Sequence, residues 1–171
     1  IASKNHIPPW ILFRNISFSD ATDLFSFLKY KEKECLFEFL PILNHDSLIF
    51  QDKIDIMLDA LKLTRKFRNT IAHNLNFLSY RECRLSKKAN ILFVNSLVLE
   101  KELEKTRRDV WAMILSIVIL LNNKYLVHNF LAELQSFMVF DESLIPIYCN
   151  ATGIPLDYED RIRKYIDILS P

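Results

Sequence analysis

The sequence predicts an all-α fold, and three observations predict it. The 171 residues include a single glycine, Gly153. Leu, Ile and Phe recur at helical spacing along most of the chain, with 13 Phe and half of all residues hydrophobic. Val110 to Leu121 is apolar on every side of a helical wheel, as a helix in the middle of a bundle is. A chain of this length forms one domain with a sizeable core, so residues 1–171 read as one helical domain, or as the C-terminal part of a longer protein, since the chain opens on Ile1. The scarcity of glycine argues against phosphate-cradling loops, and neither a P-loop nor a Rossmann fingerprint occurs. The longest apolar run is too short to cross a bilayer, and the first residues lack the pattern of a signal peptide. Cys35, Cys83 and Cys149 are odd in number, far apart and without a Cys-x-x-Cys pair, so neither a disulfide framework nor a zinc site is expected, and a reducing cytoplasm fits best.

The elements follow in order. Pro8-Pro9 excludes a helix at the start, and Trp10, Ile11, Leu12, Phe13, Ile16 and Phe18 are expected to pack onto the bundle. Ser19, or Ser17 with Asp20 three residues on, caps a helix through Leu24, Phe25, Phe27 and Leu28. Lys31 to Leu40 is a second short helix stopped by Pro41. The longest helix runs from about Ser47 to His73, with Asp46 as N-cap and Asn74 as stop. Within it Ile56, Ala60, Leu63, Phe67 and Ile71 form a stripe roughly 80° wide facing a core. A loop spans about 74 to 88, and Ala89 to Leu99 is helix or irregular. Glu100 to Asp109 reads as a solvated helix beginning that leads into the apolar run, which Asn122-Asn123 breaks. Tyr125 to Phe140 is amphipathic, Asp141 to Gly153 a turn region containing Pro146, and Tyr158 to Leu169 a final helix. Asp20, Asp23, Asp157 and Asp160 read as caps, and His6, His45 and His128 as surface or packing residues.

Polar chemistry gathers at one place. Opposite the core stripe, the long helix carries a second apolar face, Ile54, Leu58 and Leu61, which gives way to Arg65, Arg68, Asn69, Ala72 and His73. Asn69 and His73 are four apart and therefore neighbours. Arg68 lies about 100° round from Asn69, and small Ala72 leaves a shallow floor. The net charge is only +1, but from Lys62 to Lys88 eight basic residues (Lys62, Arg65, Lys66, Arg68, Arg81, Arg84, Lys87, Lys88) accompany one acid, Glu82. The rest of the chain then holds 14 basic and 20 acidic residues. Positive charge concentrated in this way draws phosphate-bearing ligands, although basic residues at a helix end are also favoured by the macrodipole alone. Tyr80 beside Arg81 and Arg84 offers an aromatic ring and cations that could clamp RNA, or a tyrosine that is simply packed.

Arg68-Asn69-x-x-Ala72-His73 at the end of a long helix resembles the Arg-x(4 to 6)-His motif of the HEPN superfamily, which includes many metal-independent ribonucleases. Ile7-Pro-Pro-Trp-Ile-Leu-Phe-Arg-Asn-Ile-Ser-Phe18 resembles the Pro-x-Trp and Ser/Thr-Phe-Gly segment of bacterial Abi-like (abortive infection) proteins, with Ser19 in place of the usual Gly. Gly153-Ile154-Pro155 resembles their terminal Gly-φ-Pro turn. The resemblance spans about residues 5 to 160. It implies a helical bundle of the HEPN type with a long central motif-bearing helix, and an antiphage or toxin–antitoxin ribonuclease with an antitoxin or regulatory partner.

RNA cleavage by attack of a ribose 2′-OH needs a base, an acid and a cation for the phosphorane. His73 suits the proton transfers, Arg68 can fork onto two phosphate oxygens, and Asn69 can orient His73 or hold an oxygen. Arg65, Lys66, Tyr80, Arg81, Arg84, Lys87 and Lys88 would bind the strand. No cofactor or metal is expected, because no His/Asp/Glu cluster is visible to hold one. The resemblance implies a 2′,3′-cyclic phosphate product and a homodimer in which Arg68 and His73 of two chains face one cleft, with Ile54, Leu58 and Leu61 a candidate part of the contact or packing within their own bundle. Two further readings stand beside this one. One is a non-catalytic HEPN-type module binding RNA, nucleotide or a partner. The other is an all-α interaction domain in which Arg68 pairs with Asp109 or Glu38 and His73 is structural.

Overall fold

In a computed structural model, residues 17–40, 43, 47–73, 75–94, 96–104, 107–121, 123–137 and 143–169 are described. The leading segment with Trp10, the Asp46 cap, Pro41, Asn74, His6 and His45 lie outside them. The described residues are all-α, with no strands. They form helices α1 (Phe18–Phe27), α2 (Tyr30–Glu38), α3 (Phe50–Ala72), α4 (Val110–Leu120), α5 (Lys124–Phe137), α6 (Ile145–Thr152) and α7 (Tyr158–Leu169). Three single-turn or short 3-10 segments, Phe77–Ser79, Lys87–Phe93 and Glu100–Glu102, lie between α3 and α4.

The long helix α3 packs chiefly on α4. Its buried stripe is Ile56, Met57, Ala60, Leu61, Leu63, Phe67 and Thr70. Alternating steps of four and three, through 56, 60, 63, 67 and 70, keep that stripe aimed at one neighbour. Ile71, expected in the stripe, is 47% exposed, because the 4-3 alternation passes through Thr70 and leaves residue 71 about 100° away. The Thr70 hydroxyl donates to the Lys66 carbonyl at 2.9 Å, so its burial leaves no polar group unpaired. Leu61 is buried in the chain's own core, and Ile54 and Leu58 pack partly against it; the second apolar face therefore serves the bundle first. In α4, eight of eleven residues are buried, Trp111 and Leu115 among them, as its all-round apolarity predicts.

The caps follow local chemistry. Ser17 and Asp20 form a reciprocal capping box at α1, with Asp20 N donating to Ser17 Oγ at 3.1 Å and Ser17 N to Asp20 Oδ2 at 3.0 Å. Asp109 caps α4, accepting from Ala112 N at 2.9 Å. Asp141 to Gly153 is more than a turn region: α6 occupies most of its second half, with Pro146 in the first turn, where a missing N–H costs nothing. Glu100 to Asp109 is not a solvated helix. Its first three residues form a 3-10 turn, and Arg107 then bridges to Leu85 through backbone bonds of 2.8 and 3.4 Å.

Glu102 explains why that segment turns inward. Its carboxylate accepts from Arg107 Nη2 at 2.6 Å and from Arg161 Nη1 on α7 at 2.9 Å, the three side chains being 17%, 10% and 6% exposed. Arg161 also donates to Leu97 O at 3.3 Å and to Asp157 Oδ1 at 2.8 Å, so Asp157 is an ion-pair partner as well as a helix-start residue. Burial alone pushes the Glu102 carboxyl up, but the Arg161 hydrogen bond, the Arg107 charge and the Leu99 amide bring it net below its ordinary value. Its contribution to stability is therefore fully present above the ordinary carboxylate pKa and is lost as pH falls through the lowered one. Glu102→Gln is expected to cost about 3 kcal/mol, since two buried guanidiniums lose their shared partner. In denaturant titrations from pH 7 down to pH 3, the gap between wild type and variant should narrow below about pH 4.5; a gap that stays constant with pH would contradict this account.

Candidate functional site

The site is built where α3 ends. His73 is the C-cap residue of α3, with φ −95° and ψ 14°, and its amide donates to Asn69 O at 3.0 Å. Leu75 N then donates to Thr70 O at 3.0 Å, folding the following chain back over the helix end. An open groove of about 480 Å³ lies between the two, a size typical of small-ligand sites. One wall is helical: Lys66, Asn69, Thr70 and His73, at steps of three, one and three along a single face of α3. The other wall is the returning loop: Leu75, Asn76, Tyr80, Arg81 and Glu82.

The structure brings part of the candidate residues together. Lys66, Asn69, His73, Tyr80 and Arg81 share the groove. Arg68 stands at its rim, donating from Nη1 to Asn69 Oδ1 at 3.1 Å. Asn69 thus holds Arg68 through its amide oxygen. Arg68 makes no ion pair with Asp109 or Glu38 among the described residues. Arg65 turns away towards α1, donating to Ser19 Oγ at 3.0 Å and lying 3.6 Å from Asp23.

The remaining predicted contacts lie elsewhere. Lys88 is paired with Asp52, near the start of α3. At 1.5 Å per residue that is roughly 30 Å along the helix from His73. Lys87 pairs with Glu104 at 3.1 Å. Arg84 shares an electrostatic neighbourhood with Asp59, midway along α3. Closeness in sequence misled here because the chain from 75 to 93 runs back along α3 instead of staying at its end.

The loop wall is braced from outside. Arg81 Nη1 donates to Leu78 O at 2.9 Å and to Tyr80 O at 2.6 Å, and Nη2 reaches Ala151 O on α6 at 3.5 Å. The Asn76 side chain caps the Phe77–Ser79 turn by accepting from Leu78 N at 3.2 Å. The Tyr80 ring stands edge-on to Phe67 at 4.9 Å between centroids, and its hydroxyl donates to Cys83 Sγ at 3.4 Å. Burial, with the Cys83 contact behind it, pushes the Tyr80 hydroxyl well above its ordinary range. Tyr80 is thus a packed wall of the groove rather than a free stacking platform.

Gly153 explains how α6 reaches this position. It ends α6 at φ +74°, the left-handed C-cap conformation that favours glycine. A Cβ there would also overlap the Asp109 side chain that caps α4. Burial pushes the Asp109 carboxyl up, against the Ala112 amide and the charges of Arg107 and Arg81. The single glycine thus lets α6 close onto the start of α4, with Ala151 set under Arg81. Glu82, Asn76 and Thr70 are groove residues that sequence reasoning did not single out; the signal for Glu82 was its standing as the one acid in a basic stretch. Among the described residues no group of three or more His, Cys, Asp and Glu side chains comes together to hold a metal ion, and no helix is long and apolar enough to cross a membrane.

Gly153→Ala is expected to lower stability by about 2–4 kcal/mol, combining left-handed strain with the Asp109 overlap. A denaturant midpoint within about 0.5 kcal/mol of wild type would refute both causes.

Residues 2–79 of the chain match the family model of Abi-like proteins. That region includes α1, α2, α3 and the helical wall of the groove. Neither a curated protein nor a solved structure matches the chain. Over that first part, the chain is similar to the Abi-like family.

Proposed function

We propose that this protein is a metal-independent endoribonuclease of the abortive-infection or toxin–antitoxin kind, acting on RNA in the groove at the end of α3. The observation that carries the reading is the convergence of Lys66, Asn69, His73 and Arg81 on one groove with Arg68 at its rim. The Abi-like match supports the abortive-infection setting, because it covers the helix that bears the motif. The HEPN-type resemblance of Arg68-Asn69-x-x-Ala72-His73 supports the chemistry.

In this reading a phosphodiester lies along the helical wall. Arg68 and Lys66 neutralise its oxygens. His73 carries a proton to or from the reacting ribose oxygens. The 2′-oxygen attacks phosphorus, the bond to the 5′-oxygen breaks, and a 2′,3′-cyclic phosphate and a free 5′-hydroxyl result. Two chains paired as a homodimer would set two such grooves together, and an antitoxin or regulatory partner would hold the activity in check. One observation favours a second reading, a binding module without catalysis: each groove holds one histidine, whereas cleavage moves two protons.

The test is a fluorescent single-stranded RNA incubated in EDTA with wild type, His73→Ala and Arg68→Ala, all shown to melt alike. Wild type should cleave to a cyclic phosphate. His73→Ala should lose at least 100-fold in rate with RNA binding kept, and Arg68→Ala should lose both binding and rate. RNA binding without cleavage by wild type would select the binding module.

A further inference from the structure

The reaction proposed above needs two proton-transfer groups, and the groove offers a second one without a second chain. The titratable side chains that line it are Lys66, His73, Tyr80, Arg81 and Glu82. Lysine and arginine stay charged near neutral pH, and Arg81 is already committed to three carbonyls. The Tyr80 hydroxyl is buried against Cys83 and donates to its sulfur. Glu82 remains. It is the one acid between Lys62 and Lys88. It is exposed and forms no ion pair among the described residues, although Arg81 is its neighbour in the chain. A carboxylate beside a groove that collects phosphate opposes binding, and that cost is explained if the carboxylate takes part in the reaction.

We propose that Glu82 is the second catalytic residue, the general base that works with His73 as general acid in the same groove. The inference rests on the ribonuclease reading. His73 ends the helical wall and Glu82 stands on the loop wall. Both line one groove of about 480 Å³, so groups on its two walls can address one phosphodiester. The Glu82 carboxylate takes the proton of the 2′-hydroxyl as the 2′-oxygen forms its bond to phosphorus. The imidazolium of His73 gives its proton to the 5′-oxygen as the bond from phosphorus to that oxygen breaks. Glu82 is left protonated and His73 neutral, and exchange with water returns both to their starting states. The carbonyl bonds of Arg81 hold the adjacent loop wall still, which keeps the base in place from turnover to turnover.

The test compares wild type, Glu82→Gln, Glu82→Asp and His73→Ala on the same RNA in EDTA, with melting, RNA binding and the pH dependence of kcat measured for each. The expected result has four parts. Glu82→Gln loses at least 100-fold in kcat while binding RNA as tightly as wild type or more tightly. One limb of the bell-shaped pH profile disappears with it. Glu82→Asp recovers part of the rate. An equimolar mixture of Glu82→Gln and His73→Ala stays inactive, because no chain then has both groups. Wild-type rates in a folded Glu82→Gln would overturn the assignment and leave the ribonuclease reading to a histidine of a second copy. Loss of RNA binding in Glu82→Gln, or an unchanged profile, would make Glu82 a structural residue and overturn it as well. Activity regained in the mixture would refute the same-chain arrangement. Wild type inactive on every RNA tried would overturn both this inference and the reading beneath it.

Discussion

The packing of α3 on α4 is the constraint on which the rest of the molecule depends. Phe67, Leu63, Ile56 and Ala60 on one helix and Trp111, Leu115 and Val118 on the other are fully buried. Each of the larger ones contributes about 2 kcal/mol by leaving water. Around this pair the other elements find their places. α1 and α2 lie against α3, and the 3-10 segments Phe77–Ser79 and Lys87–Phe93 run back along it. The start of α4 is tied to α6 through Asp109 and Gly153. Because the buried stripe reaches Phe67 and Thr70, the last turn of α3 is fixed by the core although its outer side is open. The groove therefore has one wall that belongs to the rigid centre of the protein.

The opposite wall is irregular chain, and irregular chain holds a shape only when its polar groups are paired. Here Arg81 supplies three of those pairings, two to its own loop and one to α6. The site thus draws on two kinds of order. Apolar burial fixes the residues on α3, and hydrogen bonds to a single guanidinium fix the loop. A second charged knot, Glu102 between Arg107 and Arg161, does the same for the segment leading into α4. In both cases a cation organises carbonyls or a carboxylate that a regular helix would have satisfied by itself.

This division explains what was legible in the sequence. Helices that bury a continuous stripe wrote it plainly: α3, α4 and α7 lie where periodicity places them, and the α1 capping box was readable from Ser17 and Asp20. The juxtaposition of Asn69 and His73 was equally readable, since helical geometry fixes it, and Lys66 joins them on the same wall. What depended on tertiary bonding was not. Ile71 fits an apolar stripe by type but not by angle. Glu100 to Asp109 has the composition of a solvated helix, and contacts with the distant Arg161 and Leu85 help turn it inward. α6 was hidden by Pro146 and by a short length. Charge counting grouped Lys87, Lys88 and Arg84 with His73, because nothing local shows that the chain doubles back along α3. Glu82 was visible as an odd acid, but its position in the groove required the loop to be folded.

The acid partners of the basic stretch also set how strongly the protein would respond to ionic strength. Of its eight cations, Lys87, Lys88 and Arg65 face Glu104, Asp52 and Asp23, so they release few counterions when a polyanion arrives. Lys62 and Arg84 lie near Asp59, and Arg81 is held by carbonyls, so Lys66 and Arg68 remain at the groove. Two phosphate contacts on a single strand would give a slope of only about −1.4 for log affinity against log salt. If RNA is the ligand, as in the ribonuclease reading, such a charge arrangement would hold it at one or two nucleotides rather than let it slide, and discrimination would come from the walls of the groove instead of from the field.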